Sequence, residues 1–362
     1  MKGICIMQKC NLKNKIWLVL DSRSFGGIES HVFYLASALK ENFCNICVVF
    51  LNDYGTHSLE VKLNNKNISY MKCSGTLDFI RLIKKEKPRL IHSHGYKANL
   101  ISRFAGVLYH IPTVSSFHAG DCETLRLKLY TSLDRYTAFL SHPVAVNKAI
   151  AGKVKGAPQV IDNFVPLPMH KKNIERIQHI GFVGRLSYEK GPDRFLDLAA
   201  RFPTLKFHIF GDGPKSSSLR SKTLQNVKFH GHVVSIESIW STIDILCMPS
   251  RKEGLPMAAL ESMAYGVPVI AYNAGALSKL ITHNMNGWIL PLPKEDSVLT
   301  SDIESVLRGL TIMQTQMCSL HARKTISDFY SPKVLIHKFI ELYDDVIEQN
   351  LIKMGAVNYV AS

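Results

Sequence analysis

The 362-residue chain lacks any apolar run near the roughly 18 residues that a membrane span requires. Its first apolar stretch, IWLVL (Ile16 to Leu20), is too short for a signal-peptide core and runs straight into Asp21. The expected compartment is the cytoplasm, or the inner face of the cytoplasmic membrane for a peripheral protein, with residues 1–14 a basic, cysteine-containing extension. Cysteine pairs are also missing. Of eight scattered cysteines only Cys44 and Cys47 form a C-x-x-C, inside FCNICVVFLND, which reads as a strand. Residues three apart in a strand point to opposite faces, so these two cannot share one metal ion, and no second pair completes a zinc site. Buried, reduced thiols are expected.

Acidic residues are scarce, 29 Asp and Glu against 44 Lys and Arg, and the deficit is uneven. Residues 1–160 hold 22 basic and 10 acidic residues, a net +12, which leaves +3 for the rest. Such asymmetry bears on partners rather than fold: anionic lipid, a phosphate-bearing substrate or nucleic acid. No recognition-helix, zinc or aromatic-stacking motif accompanies the cations, so a nucleic-acid-binding protein is the weakest of these readings. There is no G-x-G-x-x-G, hence no nicotinamide cofactor, and no G-x-x-x-x-G-K-[ST], hence no P-loop for ATP. Neither a D-x-D nor a histidine cluster is visible, so no metal is expected.

What is present is alternation. In residues 1–165, KIWLVLDS, CNICVVFL, RLIHSHG, IPTVSSF and SHPVAVN read as strands. SFGGIESHVFYLASALKE, TLDFIRLIKKEKP and ANLISRFAGVLYH read as helices with one apolar face. Strand–helix alternation predicts a parallel sheet with helices on both faces. VIDNFVPLPMHKKN (Val160 to Asn173) breaks the rhythm and marks a domain boundary. Alternation resumes with HIGFVGRLS, GPDRFLDLAARFP, LKFHIFGDGP, VKFHGHV, DILCMPS and VPVIAYN. The expectation is an α/β chain of two doubly wound Rossmann-like domains facing a central cleft, 1–165 and 166–343. A C-terminal helix, about 344–362, is free to pack back on the first domain.

Ligands of such sheets sit at the carboxyl ends of strands. SFGGIE offers the bare N–H groups of Gly26 and Gly27 at a helix start, which suit an anion; a simple tight turn is the alternative. VGRLSYEKG offers Arg185 and Lys190, a planar fork and a point charge that fit a pyrophosphate or are a solvated pair. FGDGP offers Gly211. In SRKEGLPMAALESMAYGVPVIA, Pro256 suits a helix start, and Gly266 and Pro268 stop it. The helix end at Gly254, Leu255 and Pro256 can hold a phosphate. Glu253 precedes that end, and Glu261 lies about five residues inside it, so the two carboxylates flank an anion site. A nucleoside diphosphate sugar has that shape; a capping acid and a buried, backbone-satisfied carboxylate are the structural alternatives.

These segments resemble the donor-binding half of glycosyltransferase family 4, whose members are retaining enzymes of the GT-B fold with an E-x7-E motif, here Glu253 to Glu261. The likeness is dense over about 180–290 and looser in FGGIESHVFYLASAL, IHSHGYKANLI, SSFHAGD and VIDNFV. It implies that Gly27 contacts the donor phosphates and that Arg185 and Lys190 neutralise the diphosphate. By the same likeness Glu261 holds the ribose hydroxyls and Glu253 the donor sugar. His118 lies near sugar or acceptor, the backbone at His232 and Val233 meets the base, and Glu29 is a lesser candidate. NAGAL (Asn273 to Leu277) and DNFV depart from the usual family pattern. The implied enzyme is a metal-independent hexosyltransferase that needs no cofactor. It would move sugar from a nucleoside diphosphate to a lipid-linked or glycan acceptor in cell-surface polysaccharide or lipopolysaccharide assembly. A sugar-nucleotide epimerase is the nearest competitor. A glycoside hydrolase fits less well, because its two acids would face each other across one bond. LRLKLYTSLDRYTAFL, with Arg126, Lys128 and Arg135, is either an ordinary amphipathic helix or a weak contact for an anionic membrane surface.

Overall fold

Strands that are buried on both faces read as unbroken apolar runs. IWLVL and ICVVF are such runs, and every residue of both is buried. A computed structural model describes residues 15–118, 125–222, 224–233, 236–293 and 301–355. Two compact units emerge: residues 1–162 with 332–362, and residues 163–331.

The first unit runs β1 (Ile16–Leu20), α1 (Gly27–Glu41), β2 (Ile46–Phe50), α2 (Ser58–Asn65), β3 (Tyr70–Lys72), α3 (Thr76–Glu86), β4 (Leu90–His94), α4 (Tyr96–Tyr109), β5 (Thr113–Phe117), α5 (Leu125–Tyr136), a 3-10 turn (Thr137–Leu140), β6 (His142–Ala145), α6 (Lys148–Ala151) and β7 (Gln159–Val160). Its strands form one parallel sheet in the order β3-β2-β1-β4-β5-β6-β7. Trp17, Val19, Cys47, Val49, Phe79, Ile83 and Ile91 fill a core beneath it.

The second unit holds β8 (His179–Val183), α7 (Pro192–Arg201), β9 (Lys206–Phe210), α8 (Ser216–Arg220), β10 (Val227–Gly231), α9 (Ile236–Thr242), β11 (Ile245–Met248), α10 (Met257–Ala264), β12 (Val269–Tyr272), α11 (Leu277–Leu280), β13 (Trp288–Leu290), α12 (Ser301–Gly309) and α13 (Ile312–Phe329). Its parallel sheet runs β10-β9-β8-β11-β12-β13, over a core that includes Ile180, Phe182, Phe195, Phe207, Ile245 and Ile270. The last helix, α14 (Pro332–Lys353), belongs to the first unit from its first residue. The expected boundaries at 165 and 343 therefore move to 162 and 331. The reason is apolar packing: Phe339 and Tyr343 of α14 lie against the rings of His92 and, for Phe339, of His31 as well.

Each sheet reverses its strand order once, between β1 and β4 and between β8 and β11. Adjacent loops diverge there and leave a crevice at the carboxyl ends. Cys47, Cys73 and Cys318 are buried thiols, and burial pushes each up to about 11, so they stay protonated and inert. The extension at residues 1–14 and the side chain of Arg126 lie outside the described residues.

Candidate active site

In the second unit, four loops at the ends of β8, β9, β11 and β12 meet backbone to backbone in two pairs. Gly211, at φ +131°, sits where a Cβ would lie 2.0 Å from the carbonyl oxygen of Gly184. Gly275, at φ +66°, sits where a Cβ would lie 2.1 Å from the carbonyl oxygen of Glu253. Both combine a left-handed backbone with an approach that only glycine permits. The NAGAL loop thus supplies its glycine where Glu253 needs it.

On this base Lys190 reaches Glu253, Nζ to Oε2 at 2.6 Å, while Ser250 Oγ donates to Glu253 Oε1 at 2.7 Å. The Glu253 side chain is 2% exposed and that of Lys190 29%. The carboxylate is therefore held from both sides, with the ammonium at the wetter edge. The cation and the acid taken from the sequence as flanking partners are already an ion pair. Arg185 stands exposed on the same loop. Arg251 is spoken for: its guanidinium forks onto Asp193 at 3.0 and 2.7 Å and stacks over Tyr188. Glu261 is buried in α10, five residues from its start, and Pro256 occupies the cap position before Met257. Asn163 Nδ2 donates to the carbonyl of Leu255 at 2.7 Å, pinning the turn that opens α10. Gly254, Leu255 and Pro256 lie in that turn. Gly211 follows β9, and His232 and Val233 follow β10, so the sheet order β10-β9-β8-β11 lines up these residues along one edge.

In the first unit, Gly26 is less available than expected. Its N–H donates to Glu29 Oε2 at 2.8 Å, which leaves Gly27, the first helical residue, as the glycine whose N–H has no place in the helix ladder. Burial raises the Glu29 carboxyl, against the lowering effect of its hydrogen bonds. Glu29 thus caps the start of α1.

His118, at the end of β5, enters a cluster not visible in the sequence. His94 Nδ1 lies 3.1 Å from His118 Nε2, the His31 ring packs edge-on to His118 at 4.6 Å, and His92 lies 4.2 Å from His94 ring to ring. His92 in turn meets Tyr343 Oη at 2.6 Å and Ser116 Oγ at 2.8 Å. The expectation of no histidine cluster is corrected here. The residues come from α1, β4 and the end of β5, strands and a helix far apart in sequence but adjacent at the sheet's reversal. Burial pushes His118 down to about 4 and His92 to about 3, the latter helped by His118; His94 falls well below the usual imidazole range, chiefly by burial. All are neutral at pH 7. His31, His94 and His118 bring ligand nitrogens within 4.8 Å of one another and form the one described set with metal-ligand character. The close His94–His118 pair shares one proton. His94 Nε2 is buried with no hydrogen-bond partner among the described residues. An orphaned buried N–H costs more than an orphaned lone pair. The shared proton therefore sits on His94 Nδ1, and His118 carries its own proton on Nδ1 (a tautomer inferred from the network).

Two family models match the chain in tandem, Glycosyltransferase Family 4 over residues 25–167 and Glycosyl transferases group 1 over residues 168–317. The chain belongs to glycosyltransferase family 4. Among curated relatives of this family member is an Escherichia coli UDP-Gal:alpha-D-GlcNAc-diphosphoundecaprenol alpha-1,3-galactosyltransferase, 25% identical over 78% of this chain and 82% of the relative. The E. coli O-antigen biosynthesis glycosyltransferase WbnH is 26% identical over 75% and 85%. Among solved structures, Anabaena HepE in complex with UDP and glucose superposes with a TM-score of 0.76 at 18% identity, covering 91% of this chain and 99% of that one. The family's GT-B architecture of two Rossmann-like domains is the one described above.

Sequence reasoning missed Ser250, Asn163 and His94 in this glycosyltransferase. Ser250 opens the very stretch that carries the two glutamates, and Asn163 lies in the DNFV noted as a departure. For His94 the signal was HSH at a strand end, one residue before a glycine.

Proposed function

We propose that this glycosyltransferase moves a hexosyl group from a nucleoside diphosphate sugar to a lipid-linked or glycan acceptor, with retention of anomeric configuration, in cell-surface polysaccharide or lipopolysaccharide assembly. The observation that carries the reading is the Lys190–Glu253–Ser250 constellation at the sheet reversal of the second unit, beside exposed Arg185 and the pinned start of α10. Breaking the bond between sugar C1 and the diphosphate oxygen places charge on the leaving group. Lys190, Arg185 and the opening turn of α10 stabilise that charge. The sugar gains oxocarbenium character, and the acceptor oxygen bonds C1 on the face the diphosphate leaves. The acceptor's proton passes to the departing phosphate. Glu253 holds sugar hydroxyls, Glu261 ribose hydroxyls, and neutral His118 donates from Nδ1 to the sugar or acceptor. No resident cofactor enters the scheme.

The E. coli relative's diphosphoundecaprenol acceptor and the +12 charge of residues 1–160 both support a lipid-linked acceptor. They also support peripheral work at the inner face of the cytoplasmic membrane. A mass-spectrometric screen of nucleotide sugars with purified protein, with and without polyprenyl-diphosphate sugar, tests the reading. Nucleotide release and a lengthened acceptor are expected. Conversion of the donor to an epimer without acceptor would overturn it in favour of an epimerase.

A further inference from the structure

Parallel pairing of β4 with β5 sets His92 opposite Val114 and His94 opposite Ser116. Side chains two apart in a strand share a face. His92 and His94 therefore point one way, with Ser116 beside them and His118 just past the end of β5, while Ile91 belongs to the core on the other face. His31 of α1 packs against the same group, its ring 5.4 Å from that of His94 and 4.6 Å from that of His118.

These imidazoles are not alike. Both nitrogens of His92 are engaged, by Tyr343 Oη at 2.6 Å and Ser116 Oγ at 2.8 Å, so His92 serves the fold. The other three converge: one nitrogen from each of His31, His94 and His118 lies within 4.8 Å of the other two. His31 and His94 are buried and His118 is half-buried, so the set is reached from the His118 side. A tetrahedral ion with bonds of about 2.0–2.1 Å holds its ligand nitrogens about 3.3 Å apart. His94 Nδ1 and His118 Nε2 already stand 3.1 Å apart. The 4.8 Å bound on the remaining separations leaves at most about 1.5 Å of ring movement to reach that spacing. Three neutral imidazoles suit Zn2+, Co2+, Ni2+ or Cu2+ and discriminate against Mg2+ and Ca2+, which take oxygen.

The second unit supplies a contrast. His179 Nδ1 meets His208 Nε2, and His208 Nδ1 meets His230 Nε2, each at 2.9 Å. There the middle ring spends one nitrogen on each neighbour, and the three do not form a converging set. The first unit differs by a third imidazole set against the close pair, and by the Nε2 of His94, buried with no hydrogen-bond partner among the described residues. An ion between His94 Nδ1 and His118 Nε2 displaces the shared proton to that Nε2, so both rings stay neutral and no proton is lost. Metal-bound histidines normally donate their outer N–H to a carbonyl or carboxylate, support worth roughly 10- to 100-fold in affinity. His94 Nε2 lacks it, which suits an exchangeable ion rather than a permanent one.

We propose that His31, His94 and His118 form an exchangeable site for one divalent transition-metal ion of the zinc type, and that its occupancy shuts the transferase off. The second clause rests on the role given to His118 above. A dication on that ring stands beside a sugar whose C1 gains positive charge, and it draws the ring toward His31. Both effects oppose transfer.

The test uses the full chain after EDTA treatment and removal of the chelator, with Co2+ as the coloured probe and Zn2+ as the inhibitor. One equivalent of Co2+ should give the visible absorption of a nitrogen-ligated site, and Zn2+ should displace it. His31→Gln and His94→Gln should each weaken Co2+ binding by on the order of 100-fold or more, since a lost ligand costs at least as much as lost outer support. His208→Gln should bind as the parent does. In parent protein labelled with nitrogen-15 at histidine, Zn2+ should move the His94 Nδ1 and His118 Nε2 resonances and leave those of His179, His208 and His230 in place, a readout that needs no variant. One equivalent of Zn2+ should lower sugar transfer by roughly 10-fold or more, EDTA should restore it, and millimolar Mg2+ should change nothing. Co2+ binding that survives both glutamine variants, its loss in His208→Gln, or Zn2+ shifts confined to the second unit would each overturn the site. Zn2+ held at these histidines with transfer unchanged would overturn the shut-off. Colour and shifts in a protein that transfers no sugar would damage the transferase reading alone, and transfer indifferent to Zn2+, with no colour from Co2+, would damage this proposal alone.

Discussion

Replacing Lys190 with alanine separates what the Lys190–Glu253 pair does for the fold from what Lys190 does for the reaction. The Glu253 side chain is 2% exposed and keeps only Ser250 once the ammonium is gone. Removing one member of a buried pair costs ~3–5 kcal/mol, whereas an exposed pair is worth ~0–1 kcal/mol. Lys190, at 29% exposure, lies between these limits. A loss of about 2 kcal/mol is expected, lowering the melting temperature of a unit this size by roughly 4–8 °C. The protein then stays folded at 25 °C. Turnover should fall much further. A lost charge-assisted contact to the leaving diphosphate raises the barrier by ~2–4 kcal/mol, about 30- to 1000-fold. The assay is nucleotide release at saturating donor, beside thermal unfolding of the same sample. Adding Glu253→Gln to Lys190→Met removes the stranded charge, so stability should recover while the rate does not. Wild-type turnover in Lys190→Ala would refute the assignment, and recovery of rate along with stability would reduce Lys190 to a structural cation.

Glu261→Ala should leave the fold intact and lower kcat/KM by roughly 30-fold or more through lost ribose contacts, with normal steady-state kinetics as the contrary result. Activity should survive excess EDTA; loss restored by magnesium or manganese would show an ion in the diphosphate's path. His92, His94 and His118 titrate below their unfolded value of about 6.5, so the unfolded chain binds more protons than the folded one as pH drops. Their stabilisation is complete above pH 6.5 and drains away toward pH 3–4, by at most ~1.4 kcal/mol per pH unit for each imidazole. Urea midpoints at pH 7 and pH 5 measure this, and a flat profile would contradict the buried neutral cluster. In nitrogen-15 spectra of histidine-labelled protein His118 should show the Nδ1–H tautomer, and His94→Gln should redistribute it; an Nε2–H signal for His118 in the parent protein would reverse the proton assignment.

The strands of both sheets and the glycine-rich loops were legible because they obey local rules. Two-face burial writes apolar runs such as IWLVL, and a helix start writes Gly-Leu-Pro before a helical pattern. What escaped is what the topology assembles. HSH and SSFH are unremarkable strand ends until β4 and β5 pair and place His94 against His118. No spacing in the chain announces that Tyr343, in the last helix, completes the partners of His92. The same limit applied to charge. Arg126, Lys128 and Arg135 were grouped because they share one helix, whereas the cation beside Tyr136 is Lys155, brought by a loop beyond the next strand. The Glu253 carboxylate illustrates the converse. Its identity was readable, but its state was not, because the sequence places Lys190 sixty-three positions away and only the close packing of Gly275 on the Glu253 carbonyl fixes where the side chain starts. A substitution at Gly275 would therefore move the Glu253 carboxylate, which it never touches through a side chain, and this is why motif reading alone undervalued the NAGAL loop.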